Sequence, residues 1–355
     1  MKSGGGNFFE DFQLRQRFIH APARTLTVGD AALYKAIYGG RFALQSSEPF
    51  ARGIGLTTTP FDDLLVFHMV FGMSVADISL NAIANLGYAQ LHFGKPLYPG
   101  ATLRASSEVI GLKENSDGKT GIVYVRTDGL DEMDDDVVSF VRWVMVRKRD
   151  TAAPSPQTVI PELLGVVPPS ALVAPERIDF ASIKGIETGS TFGWSDYEIG
   201  EKIDHIDGVT IEDAEHMMAA RLYHNNARVH FNQYAEASGR FGKRIVYGGH
   251  VMSIARALSY NGLQNAVALA AINGGRHANP VFGGDTIFAW SEVLDKAPIP
   301  NANEPFTDRS DCGALRLRLV ATKNLPCADF PDRVGDKYPE NIVLDLDYWA
   351  IVPRR

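Results

Sequence analysis

The sequence predicts an α+β chain built from two copies of one domain, each an antiparallel sheet wrapped around a central helix. Three observations lead there. Residues 96–103 read Pro96-Leu97-Tyr98-Pro99-Gly100-Ala101-Thr102-Leu103, and 184 residues later the chain reads Pro280-Val281-Phe282-Gly283-Gly284-Asp285-Thr286-Ile287. The match runs on without a gap, from Asn81-Ala82-Ile83-Ala84 against Asn265-Ala266-Val267-Ala268 to Ser107-Glu108-Val109 against Ser291-Glu292-Val293. A repeat of so long a period means two copies of a whole domain. Each copy then runs from helix-like periodicity into several strand-like segments, the order of a helix packed on an antiparallel layer. No βαβ alternation is visible and no GxGxxG follows a strand, which sets aside a dinucleotide-binding fold.

The elements repeat in order. Copy one spans roughly 8–150 and copy two roughly 191–355. Between them lies 151–190, whose first part, from Asp150 to Glu176, holds Pro154, Pro156, Pro161, Pro168, Pro169 and Pro175. Proline at that density favours an extended linker. Each copy opens on a turn-rich stretch, Asp11–Leu14 and Asp196–Ile199. A capped helix start follows, Thr27-Val28-Gly29-Asp30 and Thr210-Ile211-Glu212-Asp213. A second helix is marked by apolar residues at i, i+3, i+4 and i+7: Val66, Met69, Val70 and Met73, then Val251, Ile254, Ala255 and Leu258. Strands are expected at Asn81–Ala89, Ile122–Arg126 and Val138–Val146, and at Asn265–Asn273, Leu315–Leu319 and Ile342–Val352. The last strand of each copy carries a tryptophan, Trp143 or Trp349.

Composition narrows the function. Hydrophobic content of 45% and charge of 22% fit a soluble globular protein, and a net charge of −7 argues against a nucleic-acid surface. No apolar run approaches the roughly 20 residues of a membrane span, and residues 1–7 lack a signal-peptide core. Cys312 and Cys327 are the only cysteines, so neither a disulfide framework nor a CxxC metal pair is available. A cytoplasmic enzyme or binding protein is expected. His68, His224 and His250 show no metal-ligand spacing and no HExxH occurs, so no metal site is expected.

Chemistry concentrates in copy two. The segment Tyr223-His224-Asn225-Asn226-Ala227-Arg228-Val229-His230 precedes Tyr247-Gly248-Gly249-His250-Val251-Met252-Ser253, and Asn279–Thr286 comes third. In this order they resemble the motifs of the MaoC-type, R-specific enoyl-CoA hydratases, a hot-dog fold family. The resemblance implies a tandem double hot-dog and an acyl-CoA substrate, with coenzyme A part of that substrate and no separate cofactor. It further implies a homodimer, and points to a branched, unsaturated dicarboxylic acyl group. His230 falls on the motif histidine, and Gly248 and Gly249 on the turn whose backbone polarises the thioester carbonyl. The physical requirements agree. Hydration of a thioester-conjugated double bond needs a base near neutrality and N–H donors facing the developing enolate oxygen. A glycine pair at a helix start supplies such donors.

The usual catalytic aspartate position, five before His230, holds Asn225, which can orient water but cannot take its proton. Three readings follow. His230 performs both proton transfers while Asn225 holds the water; a copy-one carboxylate, Glu48, Asp62 or Asp63, reaches across; or the site only binds. Arg228, and in parallel Arg41, could clamp a substrate carboxylate, with Tyr247 and His250 as further substrate contacts. Lys243, Arg244, Arg354 and Arg355 could meet coenzyme A phosphates. Aligning Arg41 with Arg228 places Ala43 opposite His230, so one active site per chain is expected. A hot-dog acyl-CoA thioesterase and a non-catalytic acyl-CoA-binding protein are the alternatives.

Overall fold

The computed structural model describes residues 2–302, 304 and 306–354; Arg355, one of the phosphate candidates, lies outside them. The strands are β1 (Arg17–Thr25), β2 (Ala82–Phe93), β3 (Thr102–Glu114), β4 (Thr120–Leu130), β5 (Asp136–Arg147), β6 (Lys202–Asp204), β7 (Val209–Thr210), β8 (Ala268–His277), β9 (Thr286–Pro300), β10 (Asp308–Lys323) and β11 (Ile342–Pro353). They form one sheet in the order β1-β3-β4-β5-β2-β8-β11-β10-β9-β6, with β7 also on β9. The strand order of one half repeats in reverse in the other about the antiparallel β2–β8 pair, as two-fold related copies require, with Tyr88 facing Gly275 and His92 facing Ala271.

The duplication persists into single hydrogen bonds. His20 Nε2 meets Ser107 Oγ at 2.8 Å, and His205 Nε2 meets Ser291 Oγ at 2.8 Å. Thr25 and Thr102 share a 2.8 Å hydroxyl contact, as do Thr210 and Thr286. Thr210 is therefore a strand residue of β7. The capping box is real at Thr27, whose side chain accepts from Asp30 N, but the matching helix Asp213–Leu222 starts on Glu212 without a side-chain cap. Pairing of Thr210 with Thr286 keeps the chain extended two residues longer than the Thr-x-x-acid pattern suggests.

Two central helices, Asp63–Met73 and Gly248–Leu258, lie inside the sheet. Every residue from Leu64 to Met73 is buried, as a helix that is apolar on all sides must be. Both belong to one core, and they touch through His68 Nε2 and Ser253 Oγ at 3.0 Å. Their starts stand 185 residues apart, whereas Asn81 and Asn265 stand 184 apart. Copy one thus has one extra residue after its helix, and there the chain forms a π-helical turn, Val75–Ser79, the usual mark of a single-residue insertion. The short helices Ala43–Ser46 and Arg228–Phe231 are also 185 apart. This places Gln45, rather than Ala43, opposite His230; an imidazole is missing there either way.

The 151–190 segment runs along the outer face of the sheet. Val159 bridges Leu112, Val167 N donates to Asn273 Oδ1 at 2.8 Å, and Trp349 Nε1 donates to Val167 O at 3.1 Å. Its Val167, Leu172, Ile178, Phe180 and Ile183 cover Ala268, Ala271, Trp349 and Ile351. This second cover explains why β8 and β11 are apolar on both faces instead of alternating. Among the described residues no helix is long and apolar enough to cross a membrane.

Candidate active site

The site forms at the start of the Gly248–Leu258 helix. Gly248 and Gly249 are its first two residues, and their N–H groups donate to nothing else among the described residues. First-turn donors have no partner within a helix, so both stay available to a ligand oxygen. The glycines are required sterically. A Cβ on Gly248 would lie 2.5 Å from Cε1 and Nδ1 of His277, and one on Gly249 would lie 2.4 Å from the Tyr247 ring and 2.5 Å from His68.

Five of the nine histidines gather here: His68, His216, His230, His250 and His277. His230 sits on the short Arg228–Phe231 helix with its ring 5.5 Å from that of Tyr247. Its Nδ1 donates to Ile245 O at 3.0 Å, which leaves Nε2 as an unshared lone pair with no partner among the described residues. His216 Nε2 accepts from Tyr247 N at 2.9 Å. Tyr223 donates to Tyr38 at 2.7 Å, and Tyr38 in turn reaches His250 Nδ1 at 2.8 Å. His277 Nε2 lies 3.0 Å from the Tyr88 hydroxyl. With Tyr88 as the donor of this contact, the His277 proton sits on Nδ1, the edge facing Gly248.

Burial keeps these imidazoles neutral. It pushes His230 and His277 down to about 4, His68 and His250 to about 3 and His216 to about 2. The Ile245 carbonyl is the hydrogen-bond partner of His230 among the described residues. Among the described residues no group of three His, Cys, Asp or Glu side chains is arranged to hold a metal ion.

Sequence reasoning brought His230, Tyr247, His250, Gly248 and Gly249 to one place. Asn225 is adjacent in the chain but 1% exposed: its Oδ1 accepts from Ala227 N at 3.2 Å, and its Nδ2 is buried with no partner. It holds the turn that aims His230, pressed against the other copy where a Cβ on Gly72 would stand 1.7 Å from Tyr223 O. Arg228 is exposed and donates to Asn81 Oδ1 of copy one at 3.3 Å. Arg41 is not part of the cluster. Its guanidinium stacks 4.7 Å over Tyr260, past the far end of a helix about 16 Å long. Asp62 and Asp63 are remote too, because they start the other central helix: Asp62 caps Leu64 N, and Asp63 accepts from Leu269 N at 2.8 Å. Glu48 is engaged by Arg52, Thr58 and Thr59. No copy-one carboxylate that the sequence offered reaches His230. Of the phosphate candidates, Arg244 pairs with Asp213 at 3.5 Å in the helix that carries His216, while Arg354 lies over Trp194, 4.6 Å away. An open cleft of about 800 Å³ between the 185–192 and 261–264 turns contains none of these residues. His216, His277, Tyr88 and Tyr38 escaped sequence reasoning, since each reaches the site from a separate element.

Known proteins are similar to this chain along its whole length. The family model for mesaconyl-CoA hydratase matches residues 2–324. A β-methylmalyl-CoA dehydratase from Chloroflexus aurantiacus is 58% identical over 100% of this chain and 99% of its own. A mesaconyl-CoA hydratase from Cereibacter sphaeroides is 54% identical over 100% of both chains. Among solved structures, one from Chloroflexus aurantiacus described as a MaoC domain dehydratase superposes with a TM-score of 0.96 at 57% identity, covering 100% of this chain and 99% of that one. A Mycobacterium tuberculosis protein described as a double hotdog fold gives 0.75 at 25% identity, covering 98% and 99%. The fold is a tandem double hot-dog, and the chain belongs to the mesaconyl-CoA hydratase family.

Proposed function

We propose that this chain is a hydro-lyase that reversibly hydrates mesaconyl-CoA to β-methylmalyl-CoA, with His230 as its acid/base. The carrying observation is the pairing of a neutral His230 with a free Nε2 and a helix start whose two glycine N–H groups are idle. The water gives a proton to His230 Nε2 while its oxygen bonds to the β-carbon. Charge moves onto the thioester oxygen, held by the Gly248 and Gly249 N–H groups. His230 then returns the proton to the α-carbon, so one imidazole serves both transfers and no carboxylate is needed. His277 Nδ1–H, facing Gly248, donates to the water oxygen. This is the orienting role the sequence suggested for Asn225, whose Oδ1 accepts from Ala227 N.

Coenzyme A enters as part of the substrate, and the reaction as written uses no metal or further cofactor. We take the protein to act in the cytoplasm as a homodimer, without nucleic-acid or membrane partners; sedimentation of the purified chain reads the oligomeric state. Incubation with mesaconyl-CoA followed by product mass tests the reaction. A gain of one water supports it, whereas free coenzyme A would mean thioesterase chemistry, and tight binding without turnover a binding protein. His230→Gln keeps the fold and loses nearly all hydration; full activity in that variant removes the assignment.

A further inference from the structure

We propose that Arg142 of copy one is the counter-ion for the distal carboxylate of a dicarboxylic acyl-CoA, and so the residue that sets acyl specificity. This rests on the hydratase reading above. Arg142 lies in β5 and is 0% exposed. Its Nη2 donates to Ser74 Oγ at 2.8 Å and its Nη1 to Ser79 Oγ at 3.3 Å, while Nε is buried with no partner. It makes no ion pair among the described residues. A buried cation without an anion is costly and is normally paired. Asp77, in the same turn, is engaged by His20 Nδ1 at 2.7 Å and faces solvent, with its side chain 40% exposed.

The location fits a substrate terminus. The guanidinium stands 4.2 Å over the Phe71 ring, and Phe71 is 5.6 Å from Tyr247, the residue that leads into Gly248. The same Phe71 ring is 6.1 Å from that of Tyr88, and both tyrosines reach the imidazole cluster, Tyr88 at His277 and Tyr247 at His68. Copy two has no equivalent: matching Trp143 with Trp349 puts Tyr348 at this position. Ser74 precedes and Ser79 ends the π-turn that copy two lacks, so the inserted residue and the arginine belong to one device. A planar guanidinium with two hydroxyls and an open Nε edge is the chemistry that recognises a carboxylate.

The test uses the intact chain and unreactive saturated thioesters, so binding is read independently of turnover. Wild type should bind methylsuccinyl-CoA about 100-fold more tightly than 2-methylbutyryl-CoA, which lacks the carboxylate, by calorimetric titration. Arg142→Met should erase that preference without weakening 2-methylbutyryl-CoA. Arg142→Lys, which keeps the buried charge but not the fork, should give an intermediate ratio. Equal affinities in wild type, a preference unchanged in both variants, or a parallel loss for both ligands overturns the assignment, the last revealing a purely structural staple. Failure of wild type to hydrate mesaconyl-CoA would instead strike the hydratase reading and leave the binding ratio to stand or fall alone.

Discussion

Gly248→Ala separates the donor role of the helix start from the position of His277. Alanine keeps the backbone N–H, so the number of donors to the thioester oxygen is unchanged. Its Cβ, however, would lie 2.5 Å from Cε1 and Nδ1 of His277 and 2.6 Å from Cγ. Carbon atoms settle about 3.5–4.0 Å apart, so the ring must retreat by about 1 Å. That motion pulls against the 3.0 Å contact with Tyr88. Misplacement of a reacting or orienting group by this amount costs about 10²-fold. The expected result is therefore a loss of about 10² in kcat/KM for mesaconyl-CoA, followed by the absorbance of the conjugated double bond, with little change in Tm. His277→Ala should lose a similar factor as one orienting donor disappears, about 10². In that background the added alanine at 248 should cost no more than about 2-fold, because the ring it strikes has gone. Wild-type activity in Gly248→Ala refutes the reasoning. So does a full-sized loss that persists without the His277 ring, which would mean the methyl group disturbs the helix start itself.

The other outcomes follow from burial. Five imidazoles are held below their ordinary 6.5, between about 2 and 4. Between those values and 6.5 the unfolded chain binds more protons, so stability is complete above 6.5 and is lost as pH falls. Each group contributes about 1.4 kcal/mol per pH unit. Asp62 and Asp63, both raised by burial and Asp63 to about 7, work in the opposite direction but are two groups against five. Calorimetry from pH 7.5 to 5 should show a steep fall in Tm, and a flat profile would contradict a neutral cluster. Asn225→Asp would place a second carboxylate oxygen where Nδ2 now has no partner, costing about 2–4 kcal/mol at pH 7. Its folded pKa would be raised, so urea melts should show the deficit shrinking as pH falls toward the carboxylate range; equal stability at pH 7 would count against it. Tyr88→Phe removes one hydrogen bond, worth about 1 kcal/mol, and frees His277; kcat should fall about 10-fold while Tm stays within a few degrees.

Legibility in the sequence depended on how local each feature is. Helix periodicity at Val251–Leu258 and the box at Thr27–Asp30 are written within a few residues, and both hold in the structure. Thr210 misled because its strand pairing lies 76 residues away, at Thr286. Arg41 looked parallel to Arg228, but the two short helices match with Gln45 opposite His230, and the intervening fold sends Arg41 to Tyr260. His277 and Tyr88 carried no signal, because they meet only across the β2–β8 junction. Arg142 did carry one. Val138, Phe140, Val144 and Val146 share its parity along β5, and a charge in the middle of an apolar strand face is where alternation expects none. Reading Val138–Val146 as simply a strand ending in basic residues passed over it.

The copies also differ position by position around the glycine pair. At the start of copy one's central helix the glycine pair is replaced by Asp63-Leu64, and the second of the two donors is closed: Leu64 N is taken by Asp62. Along the rest of the repeat, His216 has Ala31 opposite it, His250 has Leu65 and His277 has Phe93. Each of these copy-one positions is apolar and so lacks a buried polar group whose upkeep requires a partner. The exception runs the other way. At Arg142 copy one carries the charge and copy two carries Tyr348, a buried neutral phenol. A buried guanidinium held by two serines is hard to explain as drift toward an apolar core. It becomes economical if the half that lost the acid/base kept the task of reading the far end of the substrate.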